Sequence, residues 1–279
     1  MPDPNELLTR PLRDLDAWTE HFRRAEIPVL AQTAEAIEAM RENEDAVDAN
    51  GIGEMVSADP LMTLKVLAYA ATHRPARVIT DTETVTATLV MMGITPFFRA
   101  FGRQPAIEQN LAGVPEALAG LSDVIRRAHR GATFALAFAV HRMDPDAPLI
   151  HEAALLHDFA EMLLWCHAPA LALQIRAAQL ADPSLRSATI QKQVLGIDLH
   201  DLQQALMKAW RLPEMLRRIS DDRHAEQANV RNVLLAVRLA RHTAQGWDNA
   251  ALPDDVADIA AMLNLSPASA LQFVRSVEA

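Results

Sequence analysis

The chain has 279 residues, 50% hydrophobic and 22% charged, enough to bury a sizeable core in one large domain or two small ones. Its formal net charge of −10 argues against nonspecific nucleic-acid binding, which needs Lys and Arg to neutralise phosphates. A single cysteine, Cys166, excludes an internal disulfide framework and a multi-cysteine zinc site, and fits a reducing compartment. No run approaches the ~18 uninterrupted apolar residues of a membrane span. The start carries Pro2, Pro4 and Pro11 and lacks the basic-then-apolar order of a signal peptide, so a cytoplasmic location away from membranes is expected.

Only 5% of residues are aromatic, one of them Tyr, while the helix formers Ala, Leu, Met, Arg and Glu abound. In chain order, apolar positions 30, 33/34, 37 and 40 mark one helical face between Val29 and Met40. Asp59-Pro60 reads as an N-cap and first-turn proline for a helix through Leu61–Tyr69. The Thr/Val-rich stretch from Thr80 to Thr88 reads as a helix capped by Asp81, running from Thr82 to Met92 and ended by Gly93. Gly113 to Arg142 is long enough for one or two helices. Prolines 96, 115, 145, 148, 169, 183, 213, 253 and 267 each suit a helix first turn or the loop before it. A final segment from Asp254 predicts two short helices ending at Val277. Its turn at 261–267 has the outline of a helix-turn-helix corner without the flanking Lys and Arg that DNA requires. The whole chain is predicted all-α. It divides into a helical lead-in over 1–26, a main domain over 27–242 with a lobe boundary near 104–113, and a helical extension over 243–279.

The stretch most informative about chemistry is Leu155-Leu156-His157-Asp158-Phe159-Ala160-Glu161, preceded 28 positions upstream by His129. Imidazole nitrogen plus carboxylate oxygen suits Fe, Mn, Zn or Mg, depending on the rest of the shell. A hydrolase built on this set also needs further ligands and an open position for an activated water. The structural alternative is a buried, hydrogen-bonded His157–Asp158 pair that orients the central helix.

Several ordered stretches resemble the HDOD domain (HD-related output domain), a branch of the HD superfamily of metal-dependent phosphohydrolases. They are Ile27-Pro28-Val29-Leu30, Ser57-Ala58-Asp59-Pro60-Leu61, Val85 to Gly93, Leu195-Gly196-Ile197-Asp198 and Trp210-Arg211-Leu212-Pro213. The resemblance covers roughly 27–242 and implies an all-α, multi-helix bundle in two packed lobes with a role in bacterial signalling. It also implies a metal-ligand pattern in which His129 is the first His, His157-Asp158 the pair, and Val237 stands where a later Asp is expected. Valine cannot ligate a metal, and Ala160 replaces a glycine found after the pair in catalytic relatives. Asp198-Leu199-His200 and Ile219 to His224 also depart from the family pattern.

The eroded site points to a noncatalytic output module that binds a signalling protein or a small effector and needs no cofactor. His129, His157 and Asp158 are then a vestigial metal set. Two rivals stay open: a metal-dependent phosphohydrolase acting on a nucleotide or cyclic dinucleotide, with Asp221, Asp222 or His224 as replacement ligand, and a nucleotide sensor without turnover. Arg77, Arg126, Arg127, Arg130 and the pairs His73-Arg74 and Arg217-Arg218 are basic clusters suited to a phosphate or to plain solvation. Cys166 reads as a core thiol. The Met- and Phe-rich run from Leu89 to Phe101 suits either core packing or a partner surface.

Overall fold

The computed structural model describes residues 6–73, 83–182 and 185–278. Among them it is helical, without strands, in the order α1 (Leu15–Arg24), α2 (Ala31–Glu42), α3 (Ala49–Ser57), α4 (Pro60–Thr72), α5 (Val85–Met92), α6 (Ile94–Ala100), α7 (Ile107–Asn110), α8 (Pro115–His141), α9 (Ala147–Leu155), α10 (Phe159–His167), α11 (Pro169–Ala181), α12 (Ser187–Leu195), α13 (Leu199–Ala209), α14 (Glu214–Ile219), α15 (Ala228–His242), α16 (Leu252–Leu263) and α17 (Pro267–Ser276). The sole extended pairing among the described residues is a parallel bridge between Val29 and Ala106.

Local chemistry sets the helix ends. Asp59 caps α4, its Oδ1 accepting the Leu61 and Met62 N–H groups at 2.9 and 3.2 Å, and Pro60 opens the first turn. Thr84 caps α5, its hydroxyl accepting the Ala87 N–H at 3.3 Å; Asp81 and Thr82, expected to start this helix, lie outside the described residues. Gly93, at φ 81°, ends it. Gly196, left-handed at φ 75°, ends α12, and two residues later Asp198 caps α13 by accepting the His200 N–H at 2.9 Å. The stretch from Gly113 to Arg142 forms one 27-residue helix, α8.

The chain falls into two compact units, each assembled from two separate stretches of sequence: residues 1–124 with 158–213, and residues 125–157 with 214–279. The loop at 104–113 lies inside the first unit.

In the first unit, α1 packs on α13, and Trp18, fully buried, donates its indole N–H to the Leu195 carbonyl at 3.2 Å. Phe22, Phe97, Phe101 and Phe159 fill the same core. Burying each such ring contributes roughly 2–3 kcal/mol before cavity terms. Asp59 also accepts the Leu30 N–H at 2.8 Å, so one fully buried carboxylate joins the entry of α2 to the start of α4. Phe159 packs on Trp210, ring centroids 5.9 Å apart.

The second unit is built on Phe134, Phe138, Val233, Leu239, Ile259 and Val274, all fully buried. Its C-terminal helices are tied in by ions. Asp255, 2% exposed, lies 2.7 Å from Arg238 Nε and 2.6 Å from His242 Nδ1. Arg130 reaches Glu278 at 2.6 Å, Thr243 Oγ1 at 2.8 Å and the Ala240 carbonyl at 3.2 Å.

Candidate functional site

His157 and Asp158 stand in a three-residue turn, 156–158, between α9 and α10, and not within a continuous helix. His157 is buried and Asp158 half-buried. Asp158 occupies the N-cap position of α10, where its carbonyl accepts the Met162 N–H at 3.1 Å.

His157 Nε2 lies 3.0 Å from Asp222 Oδ1 and 3.2 Å from Oδ2. A carboxylate only accepts, so the proton of this hydrogen bond sits on Nε2. Asp222 opens a short 3-10 turn, Asp222–His224, which Asp221 caps by accepting the Arg223 N–H at 3.2 Å. Asp221 also meets Arg223 Nε at 3.2 Å, and exposed His224 Nδ1 lies 3.3 Å from Glu226. In this loop Asp222 reaches His157, while Asp221 and His224 make contacts within and beside the turn itself.

His129 lies half-buried on α8. Its electrostatic neighbour is His151 on α9, whose pKa is pushed down by burial and then by the charge of His129. His151 was not among the residues expected from sequence. An isolated histidine in an apolar run gives no sign of what it faces until α8 and α9 are placed.

Among the described residues, no group of three His, Cys, Asp or Glu side chains is placed to hold a metal ion. Val237 is 7% exposed on α15 and packs against α8: a Cβ at Gly131 would lie 3.4 Å from its Cγ2 and 3.5 Å from its Cα. Apolar packing thus occupies the position where the resemblance expected a carboxylate.

The remaining candidates separate cleanly. Cys166 is buried, and burial pushes its thiol pKa far up, so it is a core group. Phe97, Phe98 and Phe101 are core, whereas Val90 and Met91 are on the surface. Arg130 is held by a carboxylate, a carbonyl and a hydroxyl of the second unit itself. Arg74 and Arg77 lie outside the described residues.

An all-α chain with a His-Asp turn between two helices defines the class, an HD-type helical domain. The chain belongs to the HDOD domain family, whose profile matches residues 27–226. The residues carrying the family likeness are mostly architectural: Asp59 and Asp198 cap helices, Gly196 supplies a left-handed turn, and Trp210 packs on Phe159. No match among curated proteins is significant. Solved structures share the fold. The MmoQ response regulator of Methylococcus capsulatus aligns with a TM-score of 0.62 and 16% identity, over 89% of this chain and 98% of its own. A virulence factor of Campylobacter jejuni aligns with a TM-score of 0.63 and 16% identity, over 95% of this chain and 98% of its own. No helix among the described residues is long and apolar enough to cross a membrane.

Proposed function

We propose that the chain is a noncatalytic output module of bacterial signal transduction, which binds a protein partner or small effector and transmits the bound state through helix packing. The observation that carries this reading is the pairing of His157 Nε2 with Asp222 at 3.0 Å. It gives the most suggestive histidine a structural job, joining the turn before α10 to the 3-10 turn that precedes α15. Apolar Val237 supports the same reading. The fold shared with a protein described as a response regulator accords with it. His129, His157 and Asp158 are then the remnant of a metal set, with no catalytic residue among them.

The test is elemental mass spectrometry on protein purified without chelator and without a His-rich tag, together with thermal melts in the presence of nucleotides. The expected result is below about a tenth of an equivalent of Fe, Mn or Zn. Near one equivalent, lost in His157→Ala together with turnover of a nucleotide or cyclic dinucleotide, would replace this reading by a phosphohydrolase. A melting temperature raised by nucleotide without turnover would make the effector a nucleotide, since a ligand of the folded state alone stabilises it.

A further inference from the structure

Helix α5, Val85-Thr86-Ala87-Thr88-Leu89-Val90-Met91-Met92, has no charged residue. A helix without a polar face is ordinarily buried on all sides. In α5 only Val85, Thr88 and Leu89 are buried. Val90 is 63% exposed and Met91 57%, and Thr86 and Ala87, one turn earlier, are exposed with them. Ala87, Val90 and Met91, at i,i+3 and i,i+4 spacing, make one continuous outer face, with Thr86 at its edge toward α3.

That face is set among acids. Beneath α5 runs α3, which crosses so closely at Gly53 that a Cβ there would lie 3.2 Å from Thr86 Oγ1 and 3.8 Å from Leu89 Cδ1. Glu54, next to this crossing, is exposed, as is Asp48 at the N-cap of α3. Glu83 is exposed just ahead of α5. Beyond its other end, Thr95 donates its hydroxyl to Glu44, which brings the acidic turn Glu44–Ala46 against the start of α6. Between Glu42 and Phe98 the described residues include one Lys or Arg, Lys65, which is engaged by Glu26 and the Ile27 carbonyl. The first unit as a whole has 15 Lys and Arg against 24 Asp and Glu, a net −9 of the chain's −10.

We propose that the outer face of α5 is a docking surface for a basic amphipathic helix of a partner protein. The apolar stripe of such a helix would lie on Val90 and on Met91, and the unbranched thioether of Met91 adapts to different side chains. Its Lys and Arg residues would meet Glu54, Glu83 and Glu44. The acidic rim selects this occupant over others: it repels nucleic acid and anionic lipid, and a second copy would bring an equally acidic rim against it. The proposal rests on the reading of the chain as a partner-binding module, and it holds whether or not the His157 site proves catalytic.

The test uses the full chain and a labelled Leu/Lys amphipathic peptide about 18 residues long, ~27 Å as a helix, with the same peptide carrying Glu for Lys as comparison. Fluorescence anisotropy is expected to show binding of the Lys peptide alone, weakening as salt is raised. Met91→Asp should weaken it roughly tenfold or more, and Glu54→Lys/Glu83→Lys should weaken it through slower association. Val140→Asp, an exposed change in the second unit, should leave it unchanged. Because both Met91 and Val140 are exposed, unaltered melting curves are expected and confirm that the variants are folded. Equal binding of both peptides, no binding of either, or an affinity indifferent to Met91→Asp overturns the proposal. So does concentration-dependent dimerisation abolished by Met91→Asp, or binding to anionic vesicles that Met91→Asp abolishes. If the Lys peptide binds elsewhere, the α5 site falls while the module reading stands; metal-dependent turnover would fell the noncatalytic reading while leaving α5 intact.

Discussion

The imidazoles of His21 and His167 meet edge to face inside the first unit, ring centroids 6.4 Å apart, with Phe22 against both. Both are buried, and the Nε2 of each has no hydrogen-bond partner among the described residues. Burial pushes both pKa values down. His167 falls to about 4, through burial first and the neighbouring His21 second.

Acid should therefore destabilise the docking of α1 on α10. For His167 the unfolded chain takes up its proton near pH 6.5 and the folded chain only near 4, so between those values the unfolded state binds more; His21 shifts in the same direction. The stabilisation is complete above pH 6.5 and is lost as pH falls through about 4, with His167 contributing roughly 3 kcal/mol at the acid end. Urea titrations across pH 7 to 4 measure it. His167→Phe should flatten the slope, and an unchanged slope would show that acid acts elsewhere.

The His157–Asp222 pair predicts a stability effect in place of a catalytic one. Asp222→Ala leaves a buried imidazole proton without its acceptor and should cost about 1–3 kcal/mol. Asp222→Asn keeps the shape and should cost less. Chemical denaturation reads both. Full stability in Asp222→Ala would remove the structural role assigned to this pair.

Two helical glycines should respond oppositely to alanine. At Gly120 a Cβ would fall 2.4 Å from Trp165 Cη2 and 2.6 Å from Cζ2, inside a packed core, so Gly120→Ala should cost about 1–3 kcal/mol. At Gly131 the nearest atoms are 3.4 and 3.5 Å away, ordinary contact, so Gly131→Ala should be neutral or gain up to about 1 kcal/mol from helix propensity. Calorimetric melts of the two variants decide it.

Asp59 is the fourth stability test. Burial pushes its carboxyl pKa up, against hydrogen bonds from Leu30, Thr33, Met62 and Leu61 that favour the ionised form. Asp59→Ala removes the cap of α4 and orphans the Leu30 N–H, and should cost about 2–4 kcal/mol. Asp59→Asn should recover part of this. A loss no larger than a surface cap's would mean that Leu30 finds another acceptor.

Much of the local architecture was legible because it depends on neighbours in sequence. Asp59-Pro60, Gly93, Gly196 and Asp198 act over one helical turn, and their roles as cap or stop follow from backbone chemistry alone. The family likeness was legible for the same reason, since it lies largely in these structural residues. The partner of His157 was not. His157 pairs with Asp222, 65 positions away, on a turn that only the packing of α9, α14 and α15 brings near. His151 entered the neighbourhood of His129 by the same route.

The sequence by itself determined an all-helical chain, several of its helix ends and the presence of a valine, which carries no carboxylate, at position 237, because these depend on composition, periodicity and single residues. The tertiary structure decided which groups meet: His157 with Asp222, His21 with His167, and Val90 and Met91 left outside among acids. A side chain's neighbours are set by how distant helices pack, and hydrophobic packing carries no record in the local sequence of which polar groups it will bring together.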